Sequence, residues 1–296
     1  MNKSVYAVWK HTEPMGNVSL RGYSESALCS GFYIPEKKIC LDAGIPLYGE
    51  PHFVFITHGH SDHAGQVATI LTGNTKPVHV YVPQGTRLQY VDVLLAKQRL
   101  TRNDPLLTES QVLENRCTIT EVTDGDSFDI DCVGEKMRVS CFTTYHKVPS
   151  IGFAFFYRRS RLKDEYRKCA GVELKKLRDE KLQITEDYLA PAFCYVGDST
   201  PAWLQHLLFQ NYAFPHIICE CTFIGALEKS VEKARERATD HDHTCWEDLE
   251  PLIANYKYKE TEFILTHWSN RYLENGSETI KKHFKDVPRV RPWTGD

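Results

Sequence analysis

The run Phe53-Val54-Phe55-Ile56-Thr57-His58-Gly59-His60-Ser61-Asp62-His63 leads an apolar strand straight into three histidines and an aspartate. Imidazole nitrogens and carboxylate oxygens are the donors that suit zinc-class cations. A strand places its end rigidly, and the loop beyond it is where such donors can converge. His58 and His60, two apart, can face one ion while Asp62 and His63 turn toward a neighbouring one. Three further donors each follow an expected strand: His146 after 139–145, Asp198 after 193–197 and His267 after 263–266. Singly, each reads as an ordinary polar residue. Asp198, in Gly197-Asp198-Ser199-Thr200-Pro201, could equally sit in a turn that starts a helix, with Thr200 as cap and Pro201 in the first turn. Together the seven side chains supply two metal ions with nitrogen and oxygen ligands and leave room for water.

The elements that must position these donors are legible as periodicities. Short β-rich runs at 5–9, 27–34, 38–41 and 53–57 are broken by Pro35, Gly44, Pro46 and Pro51. A helix after His63 and another over 85–100, with Leu88, Val91, Leu94 and Leu95 on one face, would cover that sheet. Strand patterns return at 117–122, 128–132, 137–144 and 151–157. Strands at 193–196, 217–221 and 263–266 are each followed by a plausible helix, one of them opening with the capping-box spacing Thr244-Cys245-Trp246-Glu247. The order favours an α/β protein with two sheets sandwiched between helix layers. No repeat or linker divides it, so a single domain over 1–296 is the expectation.

Composition narrows the class. A chain of 296 residues, 42% hydrophobic, can bury a full core, and its ten cysteines, scattered apart from Cys219 and Cys221, read as reduced thiols. Residues 1–10 lack a signal-peptide run and no apolar stretch approaches bilayer length, so an intracellular, cytoplasmic protein away from the membrane is expected. Charge is uneven. Arg158 to Lys181 holds ten Lys/Arg against five Asp/Glu, a net +5, which leaves −8 for the rest of a chain whose total is −3. Such asymmetry suits a polyanionic partner, though a solvated helix-turn-helix would show it too. Cys219 and Cys221 read as buried neighbours and His79 as structural. Ser269 and Arg271 read either as a phosphate contact or as ordinary surface residues, and 289–293 as packing across a dimer or fraying.

The ligand series His58-x-His60-x-Asp62-His63, His146, Asp198, His267 resembles that of the metallo-β-lactamase superfamily, whose fold is a four-layer αββα sandwich. More narrowly, Thr144-Tyr145-His146 before Ser150-Ile151-Gly152-Phe153, Tyr195-Val196-Gly197-Asp198-Ser199-Thr200, Glu220-Cys221-Thr222-Phe223 and Thr266-His267-Trp268-Ser269-Asn270-Arg271-Tyr272 are similar to tRNase Z, the tRNA 3′-end endonuclease. The segment from Arg161 through Leu177 to Thr185 looks like the insert of the short, plant-type members. The chain departs from the family at Cys219, where many members have histidine, and at Ser199, where Gly-Asp-Thr is commoner. It departs again at Trp268, where phenylalanine is usual, and in its degenerate glycine-rich amino-terminal signature. No departure falls on a proposed ligand.

The resemblance implies that His58, His60 and His146 hold one ion, that Asp62, His63 and His267 hold the other, and that Asp198 bridges them. The ions would be two zinc, with manganese as the alternative. Asp62 would accept a proton from the attacking water. Glu220 would orient a histidine that protonates the leaving oxygen, either His241 or His243, with His243 preferred because the next helix starts just after it. The basic insert at about 157–191 would grip RNA, most naturally precursor tRNA, and a homodimer would present RNA from one subunit's insert to the other's metals. The rival reading keeps the ions and changes the substrate to an amide, ester or thioester, β-lactams included. A catalytically silent RNA-binding module would have lost ligands.

Overall fold

The computed structural model describes residues 12–47, 49–114, 116–273 and 277–295. The expected strand at 5–9 lies outside them. Two seven-stranded sheets, each built in chain order, carry the molecule. The first comprises β1 (Thr12–Met15), β2 (Val18–Glu25), β3 (Cys29–Ile34), β4 (Ile39–Leu41), β5 (Phe53–Phe55), β6 (Val78–Pro83) and β7 (Cys117–Val122). The second comprises β8 (Ser127–Cys132), β9 (Glu135–Thr143), β10 (Ile151–Leu162), β11 (Thr185–Tyr195), β12 (His216–Glu220), β13 (Glu262–Thr266) and β14 (Val290–Pro292). In each sheet the first four strands pair antiparallel and the rest pair parallel.

The parallel halves set the layers, because a parallel connection needs a crossover that lands on a sheet face. Helices Val67–Gly73 and Arg87–Arg102 cover the first sheet; Leu207–Asn211, Val231–His241, Trp246–Asn255 and Glu278–Phe284 follow the strands of the second. Side chains alternate along each strand, so the central strands feed two cores. Phe53 and Phe55 point between the sheets, where they join Phe153, Phe155, Phe193 and Ile264. Val54 and Ile56 point to the helices, joining Leu71, Val91 and Leu94. In the second sheet Ile218 faces the first sheet, while Ile217 and Cys219 join Trp246, Leu249 and Phe284 beneath the helices. This is the expected four-layer αββα arrangement. No helix among the described residues is long and apolar enough to cross a membrane.

Several local expectations need correction. Leu88 is 67% exposed, and the buried face of Arg87–Arg102 is Tyr90, Val91, Leu94 and Gln98. Thr244 does not cap the helix Trp246–Asn255: its hydroxyl donates to the Ser199 carbonyl and its N–H to Glu220. The segment 289–293 does not fray. Val290–Pro292 adds to β13 as a parallel strand, and the indole of the fully buried Trp293 donates to the Gly22 carbonyl. His79 is exposed, stacked on Phe53 and 2.9 Å from the Thr118 hydroxyl, while Cys219 and Cys221 are buried as expected.

The basic insert is built by extension. β10 and β11 stay paired from Phe153↔Tyr195 out to Leu162↔Thr185, with one register shift at Phe155/Phe156. A turn at Asp164–Tyr166 and the helix Gly171–Asp179 close the tip. Near the body its cations are neutralised: Arg158 pairs with Asp129, Arg159 with Glu135 and Arg161 with Glu186. Toward the tip, Lys163, Lys168, Lys175, Arg178 and Lys181 make no ion pair among the described residues.

Candidate metal centre

All seven predicted donors leave the same end of the two sheets, beyond the carboxyl ends of β5, β9, β11 and β13. Open α/β sheets place their sites at that end. The sheets are tied together there: Ile151 N–H donates to the Thr57 carbonyl, and Ser26 N–H to the Trp268 carbonyl. Gly197 has a φ of +71°, and a Cβ on it would stand 2.5 Å from the Thr57 hydroxyl, so only glycine lets Asp198 turn in beside β5. His267 adopts a φ of 63°, a left-handed conformation that costs a non-glycine residue roughly 1–2 kcal/mol. Its Nδ1, 3.0 Å from the Thr222 hydroxyl, fixes the ring.

The donors fall into two adjacent sets, each with atoms within 4.8 Å of one another: His58, His60 and His146, and Asp62, His63, Asp198 and His267. In the first, His60 Nδ1 and His146 Nε2 are 3.2 Å apart. In the second, Asp198 lies 3.2 Å from His63 Nε2 and 3.3 Å from His267 Nε2, while His267 Nε2 is 3.4 Å from Asp62. Asp198 also reaches to 3.8 Å from His58 Nε2 of the first set. Five of the seven are buried; His60 and His146 are half-buried and open the site to solvent.

The cluster fits cations and little else. His58 Nε2 is buried with no hydrogen bond among the described residues, and leaving such an atom unmatched is costly unless something else satisfies it. Burial, then the neighbouring His63, pushes the His58 pKa well below the usual imidazole range. Burial opposes charge on His63 as well, but Asp198 and Asp42 outweigh it and hold that pKa well above the usual value. Burial would raise the pKa of Asp198, yet His267 and His63 hold it well below the usual carboxylate range. His63, whose charge the buried carboxylates favour, is a group from which a divalent cation would displace the proton.

Two parts of the surroundings bear on function. Glu220 accepts from Ser199 N–H at 2.7 Å and Thr244 N–H at 3.1 Å, and its Oε1 is 2.8 Å from His243 Nδ1. Burial lowers the His243 pKa, but Glu220 and then Asp198 override it and push the value up to about 9. His241, the alternative, ends the helix Val231–His241 and its ring centre is 6.4 Å from that of His243. The other part is Asp42, which the sequence reading missed. Fully buried with a φ of 57°, it accepts from Thr57 N–H, the Thr57 hydroxyl and the Tyr195 hydroxyl, and stands 2.7 Å from His63 Nδ1. The only signal was the chain context Leu41-Asp42-Ala43-Gly44, an acid directly after a buried strand. Gly44 is required beside it, since a Cβ there would lie 1.6 Å from the Asp62 carbonyl.

An αββα sandwich with a histidine–aspartate cluster at its strand ends defines a hydrolase with a metal site. The chain belongs to the β-lactamase superfamily, whose domain matches residues 45–268. It is 26% identical to the chloroplastic tRNase Z TRZ2 of Arabidopsis thaliana over 292 residues, covering 94% of this chain and 77% of that protein. Among solved structures, the metallo-β-lactamase fold protein YhfI of Bacillus subtilis superposes with a TM-score of 0.55 at 12% identity, covering 92% and 95% of the two chains. Human tRNase Z, short form, superposes with a TM-score of 0.52 at 16% identity, covering 95% and 93%. The fold is the metallo-β-lactamase fold.

Proposed function

We propose that this chain is an endoribonuclease of the tRNase Z type, cutting precursor tRNA just beyond the discriminator nucleotide. The observation that carries the reading is the placement of His243, held by Glu220 at 2.8 Å, directly beside the seven-donor cluster. A ribose oxygen is a poor leaving group and gains from a positioned proton donor, worth roughly 10²- to 10⁴-fold in rate. The likeness to a chloroplastic tRNase Z along 94% of the chain and the basic hairpin support the choice of RNA.

His58, His60 and His146 would hold one divalent cation, Asp62, His63 and His267 a second, with Asp198 shared. Bound there, a pair of zinc or manganese ions would supply an acidified water and a charge clamp for the phosphoryl oxygens. The protein's own groups do the rest. Asp62, fixed by the Ala27 N–H at 3.1 Å, accepts the proton of the attacking water. Glu220 keeps a proton on His243, which passes it to the leaving oxygen. The unpaired cations at the hairpin tip hold the RNA backbone away from the cut, without reading bases. The chain acts as one domain. It works as a homodimer in which one subunit's hairpin feeds the partner's centre, inside the cell.

Incubating metal-loaded protein with a precursor tRNA and sequencing the ends tests the reading. A cut one nucleotide position past the acceptor stem, abolished by chelator and restored by zinc or manganese, is expected, together with about two ions per chain that are lost in Asp198→Ala. No cleavage, or cleavage indifferent to chelator, refutes it. Hydrolysis of a chromogenic β-lactam by a protein that spares RNA would favour the amide reading.

A further inference from the structure

Beyond His243 the surface dips into a cavity of about 250 Å³, walled by Ser26, Ala27, Phe223, Arg237 and Arg271, with His243 itself at the edge. The cavity therefore meets the metal-ligand cluster at two points: the ring of the proton donor, and Ala27, whose N–H holds Asp62. Its chemistry is cationic. Arg237 and Arg271 come from separate elements, the helix Val231–His241 and the short helix Asn270–Leu273 after β13, yet both converge on one carboxylate, Glu228, which is nearly buried behind them. Arg237 Nη1 lies 2.9 Å from Glu228 Oε1 and 2.8 Å from Oε2, and Arg271 Nη1 lies 4.0 Å from Oε1. The Tyr272 hydroxyl donates to Oε1 at 3.0 Å and accepts from Ile224 N–H at 3.1 Å, which locks the carboxylate in turn.

Two guanidiniums against one carboxylate leave a net positive charge. Beyond Glu228, the guanidinium nitrogens of Arg237 and of the 55%-exposed Arg271 make no hydrogen bond or ion pair among the described residues. Guanidinium groups fixed in this way are suited to an oxyanion with several acceptors. We infer that this cavity is a subsite for the RNA phosphodiester one nucleotide beyond the cleaved bond, on the strand that leaves. Arg237 and Arg271 bind the phosphate, and Glu228 is the positioning residue that aims them. The assignment of side rests on the proposed nuclease reading: His243 protonates the leaving oxygen, so the departing strand passes over His243, and the cavity is what lies beyond it. Binding here would hold the trailer in line with the proton donor.

The test uses two precursor RNAs that differ only in the linkage one nucleotide past the cut, a phosphodiester or a neutral methylphosphonate. Affinity is read by fluorescence anisotropy in chelator and cleavage in zinc or manganese. For the wild-type protein, the neutral linkage should weaken binding roughly ten- to hundredfold, the scale of one charge-assisted contact. Arg271→Ala should bind the ordinary RNA that much more weakly and no longer distinguish the two linkages. Glu228→Gln should also lose discrimination, although deleting a negative charge would by simple electrostatics tighten the binding of an anion. Equal affinity of the wild type for both RNAs, or effects of Arg271→Ala and the neutral linkage that multiply as independent changes, would overturn the subsite. So would failure of the wild type to bind either RNA. Discrimination in chelator without cleavage in metal would keep the subsite and remove the nuclease reading.

Discussion

His243 and Glu220 form a single unit: Nδ1 of the imidazole stands 2.8 Å from Oε1 of a carboxylate that two backbone N–H groups and the Thr222 hydroxyl already hold in place. Such a pair fixes the tautomer and the direction of the ring, leaving Nε2 as the nitrogen free to exchange a proton. His243→Ala should lower kcat by roughly 10²- to 10⁴-fold, with bound metal per chain and KM little changed. Glu220→Gln should fall between the two. Single-turnover cleavage alongside elemental analysis checks this, and parallel loss of metal and activity would make His243 a structural neighbour of the ligands instead.

Asp42 makes a sharper stability claim. It meets Thr57, His63 and Tyr195 from the floor of the site, so removing it strands several buried polar groups at once. Asp42→Ala should destabilise the protein by about 3 kcal/mol and weaken metal binding about 10- to 100-fold, because His63 loses the partner that sets its orientation. Tyr195→Phe, which deletes one hydrogen bond to the same carboxylate, should cost only about 1 kcal/mol and leave metal affinity unchanged. Urea denaturation in chelator and a competitive metal titration separate the effects. Equal metal affinity in Asp42→Ala would show that His63 needs no support.

These two residues mark where the sequence was legible. His58, His60, Asp62 and His63 share one loop after one strand, so their spacing alone announced a site, and β5, β12 and β13 were readable because their side chains alternate between two cores. Asp42 was not readable. A lone acid after β4 has no spacing partner in the sequence, and its role exists only because β5 and β11, from different sheets, bring Thr57 and Tyr195 to it. β1 and β2 were missed for another reason: Val18–Glu25 alternates only as far as the exposed Arg21, after which Gly22, Tyr23 and Ser24 are buried in succession and blur the period-two pattern. The hairpin's shape was also hidden, since its polar outer strands lack an apolar face. They are held by pairing with each other as continuations of β10 and β11.

The distribution of charge along that hairpin predicts where RNA affinity resides. Arg158, Arg159 and Arg161 are spent on local carboxylates, whereas Lys163, Lys168, Lys175, Arg178 and Lys181 make no ion pair among the described residues. Replacing any one of the latter by Gln should reduce the slope of log affinity against log salt by about 1 for precursor tRNA, with kcat on bound RNA unchanged. Arg158→Gln should leave the slope nearly as it was. Filter binding across a salt series distinguishes them, and a flat response at the tip would remove the hairpin from the binding surface.

Far from the metal centre, His216 gives the fold its own acid sensitivity. It starts β12 with its Nε2 3.7 Å from Glu262, while Arg291 pairs with that same glutamate at 2.7 Å and Gly16 of the β1–β2 turn packs near its ring. Burial first, and then the charge of Arg291, push its pKa down from 6.5 to about 4. The sign follows directly. Between those two values the unfolded chain binds a proton that the folded chain refuses, so stability declines as pH drops through that window and the loss is complete below it. With solvent reaching part of the ring and Glu262 offsetting some of the repulsion, the loss should be about 1–2 kcal/mol. Urea midpoints of wild type and His216→Gln, compared at pH 7 and pH 4.5 in chelator, isolate it, because the other titrating groups are common to both proteins. The wild type should lose about 1–2 kcal/mol more than the variant on acidification. Curves that stay parallel would mean that His216 accepts its proton in the folded state as readily as in the unfolded chain.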